Sequence, residues 1–350
     1  MDKILRVGIA GYGVVGKRRA KCVHNNNELK LIAICDQTFE EDGVTDDGIN
    51  YYSQYEKLIK QDLDILFVCL TNDVAADATI KGLQKGLHVF CEKPPGRNLE
   101  EIASVIEIEK LHPKLKLMYG FNHRFHKSIQ DALEIIRSKN LGEIINLRGV
   151  YGKSKLITFN QPVWRTKREI AGGGVLLDQG IHMVDLMRLM AGEFNEVNSF
   201  VSNNHWGYDV EDNAYALMKT SEGIVAMLHS SATQWRHRFN LEINLQKGSL
   251  ILGGILSGSK SYGSETLTII NANPDKDNGD PIQEVKSYNQ DPSWDDEVKL
   301  FVKCISNDEP VTSSSSLDAF QTMKLVNKIY YNDPQWSKVF NIKDPDNINI

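Results

Sequence analysis

The sequence predicts an α/β protein, with a doubly wound parallel sheet in its first third and a second α/β domain built on a mostly antiparallel sheet. Three observations carry this. Short apolar runs alternate with amphipathic stretches up to about residue 121, the pattern of strands covered by helices. Beyond it come segments of alternating apolar and polar character, as in a sheet with one solvated face. And at 350 residues the chain exceeds the roughly 250 to 300 at which one core stops growing, so two domains are expected, 1–122 and 123–350.

In the first domain the strands are read at Ile4 to Ala10, Leu29 to Cys35, Ile65 to Leu70, Leu87 to Cys91 and Leu115 to Tyr119. Helices are read near Val14 to His24, Tyr52 to Lys60, Val74 to Lys85 and Leu99 to Leu111. Right-handed crossovers between such strands make an open sheet whose ligand crevice lies at the carboxyl ends of the strands. In the second domain a helix is expected at Lys127 to Lys139, a strand near Ile144 to Tyr151, and one helix from Val175 to Ala191 stopped by Gly192. Further strands are expected at Ala214 to Lys219, Ile224 to Ser231, Leu241 to Leu245 and Leu267 to Ile270. Helices follow near Trp294 to Ser306 and Leu317 to Tyr331, with a loose polar tail after them. A C-terminal helix packing back on the first domain is part of this expectation.

Composition excludes several classes. A net charge of −6 gives no general attraction to a phosphate backbone, so no nucleic-acid partner is expected. No stretch reaches the roughly 20 apolar residues of a membrane span, and nothing reads as an export signal, so the expectation is a cytoplasmic protein with no membrane partner. Cys22, Cys35, Cys69, Cys91 and Cys304 form no CxxC pair and are read as reduced core residues, with a catalytic thiol the weaker rival.

Gly11-Tyr12-Gly13-Val14-Val15-Gly16 follows the first strand and opens the first helix, the context in which GxGxxG marks a Rossmann dinucleotide site. Gly11 serves the tight turn, Gly13 the approach of the pyrophosphate, and Gly16 close helix–strand packing, with the helix N-terminus facing the phosphates. Asp36, twenty residues past the last of these glycines, ends the second strand, where a carboxylate accepts from an adenosine ribose and repels a 2′-phosphate. NAD is therefore the expected cofactor. NADP stays as the minority reading because Arg18 and Arg19 are near in sequence.

Glu92-Lys93-Pro94 follows a strand directly, so Lys93 is expected at the carboxyl edge of the sheet, where an ammonium can hold a reacting hydroxyl; a solvated lysine is the plain alternative. Asp178, His182 and Asp185 fall at i, i+4 and i+7 on one helical face. There His182 can take the hydroxyl proton while a carboxylate orients the imidazole or the substrate; a metal site is the weaker rival and a capping role for Asp178 the plain one.

With the glycine fingerprint, the Glu92-Lys93-Pro94 turn, and Gly172-Gly173-Gly174 leading into Asp178, His182 and Asp185, the chain resembles the Gfo/Idh/MocA oxidoreductases over nearly its whole length. The resemblance implies catalytic roles for Lys93, Asp178 and His182, with lysine tip and histidine helix converging over one nicotinamide. It implies that Asn122 and Arg124 lie near nicotinamide and substrate, and that the open C-terminal sheet makes a homodimer or homotetramer. The cofactor set so expected is Gly11, Gly13, Val14, Val15, Gly16, Asp36, Thr71, Asn72, Glu92, Lys93 and Asn122. Where the family often has a Thr-Pro-Asn turn this chain reads Thr71-Asn72-Asp73, and Pro95-Gly96-Arg97 after the lysine is unusual.

The substrate set is read as Lys93, Arg124, Trp164, Arg165, Asp178, His182, His229 and Trp235, aromatic faces suiting a pyranose and arginines suiting acidic oxygens; packing or solvated roles are the alternative for Trp235 and the arginines. The expected activity is hydride transfer between nicotinamide and a secondary alcohol or ketone of a sugar, cyclitol or nucleotide-linked sugar, with surface-glycan biosynthesis as a setting. The rivals are a transient-redox NAD-dependent glycosidase or epimerase and a non-catalytic NAD-binding sensor. No metal is expected.

Overall fold

The computed structural model describes residues 4–157 and 163–350. By its contacts the chain divides into two compact units. One comprises the residues through Phe121 with Trp294–Gln321 and Ile348–Ile350, the other Asn122–Ser293 with Thr322–Asn347.

The first unit opens with β1 (Leu5–Ala10), α1 (Val14–His24) and β2 (Leu29–Cys35), continues with β3 (Gly43–Val44), β4 (Asn50–Tyr52), α2 (Tyr55–Ile59) and β5 (Ile65–Val68), and runs on through α3 (Asn72–Gln84), β6 (His88–Glu92), α4 (Leu99–Leu111) and β7 (Leu117–Gly120). The sheet order is β3-β4-β2-β1-β5-β6-β7, parallel except for the β3–β4 edge pair. β3 and β4 were not expected. They are two and three residues long, too short for a period-2 pattern to show, and pairing rather than propensity makes them strands. Chain order reverses between β1 and β5, and there an open parallel sheet has its ligand crevice. The central strands are buried on both faces through Val7, Ile9, Ile65, Leu66 and Phe67, which accounts for their unbroken apolar runs. Phe67 stacks on Phe90 at 5.1 Å, and both meet the edge of Phe301 from a helix far down the chain.

The second unit holds α5 (Lys127–Ser138), β8 (Ile144–Gly152), the short α6 (Arg168–Ala171), a π-helical turn Leu176–Gly180, α7 (Ile181–Ala191), β9 (Phe194–Ser202), β10 (Asn213–Thr220), β11 (Val225–Ser231), β12 (Arg238–Leu245), β13 (Gly248–Gly253), β14 (Glu265–Asn271) and β15 (Gln283–Tyr288). Its strands run β15-β14-β13-β12-β8-β11-β10-β9, antiparallel but for the β8–β11 pair. α7 lies against β8 and β11 so closely that a Cβ on Gly149 would stand 2.5 Å from Met187, and one on Gly180 2.1 Å from Ser230.

The single helix expected from Val175 is in fact the π turn followed by α7. Glu211, fully buried, caps this turn, accepting from the backbone N–H groups of Gly174 (2.7 Å) and Leu176 (2.9 Å) and from the Tyr330 hydroxyl (2.7 Å). Those first-turn donors have no partner within the helix, and the carboxylate satisfies them.

Three helices close the chain: α8 (Ser293–Ser306), which carries Phe301, α9 (Ser316–Tyr331) and α10 (Pro334–Phe340). α10 corrects the expected loose tail. Asp333 caps it by accepting from the Trp336 N–H at 2.8 Å, Pro334 stands in its first turn, and Trp336 is buried with its ring 4.4 Å from Phe340.

Candidate active site and cofactor cradle

The cradle is built where β1 meets α1. Gly11 holds φ +90, and a Cβ there would stand 2.3 Å from the carbonyl oxygen of Cys69, at the end of the neighbouring strand β5. A Cβ on Gly16 would stand 1.9 Å from the Gly11 oxygen. Both glycines are therefore demanded by the protein's own packing. Gly13 is different, since a Cβ there would meet nothing within 4 Å, and Val14 beside it is 78% exposed. The first turn of α1 has no acidic residue and its N-cap makes no side-chain bond, so the positive helix end is left for an anion. Space at Gly13, an uncovered valine and an open helix terminus together fit a dinucleotide.

Asp36 ends β2 facing this loop. One carboxylate oxygen accepts from the Tyr12 N–H at 2.9 Å, the other from the Thr38 hydroxyl at 2.7 Å. Thr71 caps α3 and donates to Asp73 at 2.5 Å, and Asn72 is buried at the head of that helix. Arg19 is taken up by ion pairs inside the first unit. Its guanidinium is wholly buried, bonded to Glu92 at 2.6 Å and Glu297 at 2.7 Å, and lies over the rings of Phe90 and Trp294. Arg18 lies over Trp294 at 4.6 Å. Glu92 is thus held by Arg19 at the end of β6, and Lys93 follows it, half-buried, with the Lys93–Pro94 peptide cis.

The second unit assembles a polar wall beside α7. His182 is buried in the first turn of that helix, with its ring stacked on His123 at 3.7 Å and 11°. His123 comes from the 3-10 turn Asn122–Phe125. Asn122 donates from Nδ2 to Ser293 at 3.1 Å, so its carbonyl oxygen faces His123 Nδ1 at 3.2 Å and that nitrogen carries the proton. His123 Nε2 meets the Tyr151 hydroxyl at 3.1 Å, and burial first, then the charges of Tyr262 and Asp178, hold that phenol well above its ordinary pKa. Tyr151 continues to Tyr262 at 5.3 Å and Tyr262 to His237 at 5.2 Å. Burial and the neighbouring Lys153 push His237 down, so it is neutral near pH 7.

Asp178 projects from the π turn and takes two cations. Lys153 Nζ donates to one oxygen at 2.9 Å and Arg165 Nε to the other at 3.2 Å. Arg165 also lies over the Trp164 ring at 4.4 Å. Arg124 is clasped by Asp185 in a two-point pair at 2.7 and 2.6 Å, both residues buried, and Thr322 donates to the same carboxylate at 3.0 Å. Both carboxylates of the i, i+4, i+7 face are therefore engaged by cations. Among the described residues no group of three or more His, Cys, Asp or Glu could hold a metal.

Residues 5–121 match the oxidoreductase family with NAD-binding Rossmann fold, and residues 129–251 match the GFO/IDH/MocA C-terminal domain. The chain belongs to the Gfo/Idh/MocA family. A D-glucoside 3-dehydrogenase of Escherichia coli is 29% identical over 250 residues, covering 65% of this chain and 70% of the relative. A myo-inositol 2-dehydrogenase of Thermotoga maritima is 24% identical over 87% of this chain and 90% of the relative. Among solved structures, a levoglucosan dehydrogenase in complex with NADH and levoglucosan superposes with TM-score 0.80 at 21% identity, covering 95% of this chain and 97% of the other, a likeness of fold.

Within this Gfo/Idh/MocA chain the structure separates residues that the sequence had grouped. His229 stands on the face of the sheet opposite Tyr151. Strand pairing sets Leu228 beside Gly149, which touches α7, so the next residue points outward, where His229 stacks on Tyr215 at 4.1 Å. Trp235 is 66% exposed and packs edge-on against His205 and Trp206. Lys153 and His123 went unassigned. A lone lysine after a strand carries no spacing signal, although its place past the carboxyl end of β8 was visible. His123 was within reach, being flanked by Asn122 and Arg124. The cysteines are free, and burial pushes the thiols of Cys22, Cys35 and Cys91 up to about 12, which removes the thiolate a catalytic role needs. Among the described residues no helix is long and apolar enough to cross a membrane.

Proposed function

We propose that this NAD-binding oxidoreductase interconverts a secondary alcohol and a ketone on a sugar, cyclitol or nucleotide-linked sugar. The observation that carries the reading is the buried imidazole of His182, held flat against His123 one turn after Asp178. NAD, when bound, supplies the acceptor for the hydride. The rest belongs to side chains. His182 takes the proton of the reacting hydroxyl as the carbon is oxidised and returns it in the reverse direction. Lys93 has the role of donor to a substrate hydroxyl, and Asp178, fixed by Lys153 and Arg165, that of an acceptor from one. The ring of Tyr262, half-buried and backed by the buried Tyr151, offers an apolar face to a pyranose or cyclitol. The relatives named for glucosides and inositol favour a polyhydroxylated ring.

In the cofactor cradle Gly11, Gly13, Val14, Val15 and Gly16 hold the pyrophosphate, Asp36 the ribose, and Thr71 and Asn72 line the loop after β5. Glu92 and Asn122 act by fixing Lys93 and His123. Arg124, committed to Asp185, positions α7 rather than touching substrate. Free thiols and use of NAD suit the cytoplasm. The sheet face opposite α7 exposes Phe200, Tyr215, Leu217 and Met227, an apolar patch suited to a second copy in a homodimer or homotetramer.

The test is NADH formation by purified protein with sugars, cyclitols and nucleotide sugars. Lys93→Ala and His182→Ala should each lower kcat by ~10² to 10⁴-fold, the range for a lost proton-transfer group. Wild-type turnover by either variant would refute the roles, and product formation without NADH accumulation would point to transient oxidation instead.

A further inference from the structure

Two cations share a single carboxylate at the π turn, and the count leaves one positive charge unanswered. Lys153 is 4% exposed and Arg165 is held partly under cover by Trp164. Among the described residues Asp178 is the one carboxylate in ion-pair range of either. An ammonium has three N–H donors and a guanidinium five. Asp178 takes one from each, which leaves most of the donors on both cations for other acceptors. Among the described residues the neighbouring titratable groups supply no second anion. Burial and the charge of Asp178 keep the phenols of Tyr151 and Tyr262 protonated, and His237 is neutral. An ammonium withdrawn from water is costly unless it has a counter-ion of its own, and Asp178 can balance only one of the two.

We infer that the substrate carries a carboxylate, as a uronic acid does, and that Arg165 and Lys153 are the residues that select it. A monoanion balances the site, whereas a phosphate monoester would overshoot it. Arg165 presents two parallel N–H groups beyond its Nε bond, the fork that matches a carboxylate in two-point geometry, while Lys153 offers a point charge. Asp178 stays between them and keeps the two cations from repelling one another. The inference rests on the oxidoreductase reading for the identity of the ligand as substrate, but not for its charge.

The experiment uses full-length protein saturated with NAD and three matched ligand series in several hexose configurations: methyl hexosides, the corresponding methyl hexosiduronates, and hexose 6-phosphates. Turnover is measured alongside calorimetric binding. Wild type should favour the hexosiduronate over its neutral partner by ~10-fold or more, mainly in KM, as expected for a charge-assisted contact. Arg165→Gln and Lys153→Met should each bring that ratio toward one, and Arg165→Lys should keep more of it than Arg165→Gln. A ratio is unaffected by loss of folded protein, which scales both ligands alike. A wild-type ratio near one, a ratio unchanged in both charge-removing variants, or a preference for the 6-phosphates would overturn the inference. Uronates that bind with this charge dependence but are never oxidised would leave the recognition standing and remove the hydride-transfer reading. Neutral hexosides oxidised through Lys93 and His182 with no carboxylate advantage would do the reverse.

Discussion

On the function proposed, Asp36 and Arg19 are the side chains on which cofactor choice turns. Asp36 spends part of its acceptor capacity on Tyr12 and Thr38, which aim the carboxylate and leave lone pairs for a ribose diol. Arg19 cannot turn to a 2′-phosphate without giving up its ion pairs to Glu92 and to the wholly buried Glu297. Asp36→Ala should therefore raise KM for NAD ~10-fold or more without producing an NADP enzyme, since no buried cation is released. Steady-state kinetics with both cofactors checks this, and efficient NADP turnover by the variant would count against it. The fingerprint glycines and Asp36 were legible because their roles depend on spacing within one β-α-β segment. Lys153 was not, because its meaning depends on Asp178, brought beside it by the fold across a segment that leaves no periodic trace. Asn122, His123 and Tyr151 form a chain for the same reason, each residue ordinary until the next is adjacent.

At the scale of elements, buried carboxylates act as fasteners. Glu265 at the start of β14 accepts from His126 at 2.8 Å, from the Ser128 hydroxyl at 2.6 Å and from the Leu256 N–H at 3.1 Å, tying the head of α5 to the sheet. Burial alone would raise this carboxyl, but His126 and Ser128 outweigh it and hold it below the ordinary value. A carboxyl with a depressed folded pKa contributes stability that is present above its unfolded pKa of about 4.3 and is lost as pH falls through the folded value. Urea denaturation should therefore show Glu265→Gln less stable than wild type by ~3 kcal/mol near neutrality, with the gap narrowing below about pH 4. A gap constant across that range would show that packing, not charge, is what the substitution removes. The long strands and helices were readable from apolar periodicity. β3 and β4 were too short to carry one. α10 announced itself through Asp333-Pro334, a cap followed by a proline, yet was masked by its polar surroundings. No local pattern reports the π turn, and Glu211, which caps it, lies thirty-odd residues downstream.

At the scale of the molecule, the eight-stranded sheet has one face closed by α7 and one open. Phe200 and Met227 on the open face are 78% and 54% exposed, and with Tyr215 and Leu217 they line adjacent strands β9, β10 and β11. Exposed apolar patches of that kind mark association surfaces, and a stable one covers about 800 Å² per partner. Light scattering should find wild type larger than a monomer, and Leu217→Glu combined with Met227→Glu should move it to monomer mass. A monomeric wild type, or an assembly indifferent to both charges, would exclude this face. The alternation that sets these residues outward also takes His229 with them, so one feature of strand geometry fixes both what the site lacks and what a second copy would meet.

Gly13 has a bearing on how variants of this protein sort. Its two companion glycines are needed for the chain to close on itself, whereas a methyl at Gly13 would meet no protein atom within 4 Å. Gly13→Ala should thus melt within a degree or so of wild type yet lose most of its grip on NAD, a combination read by thermal denaturation with and without the dinucleotide. Selection for well-folded chains alone would never see that position; only a requirement for turnover holds it as glycine.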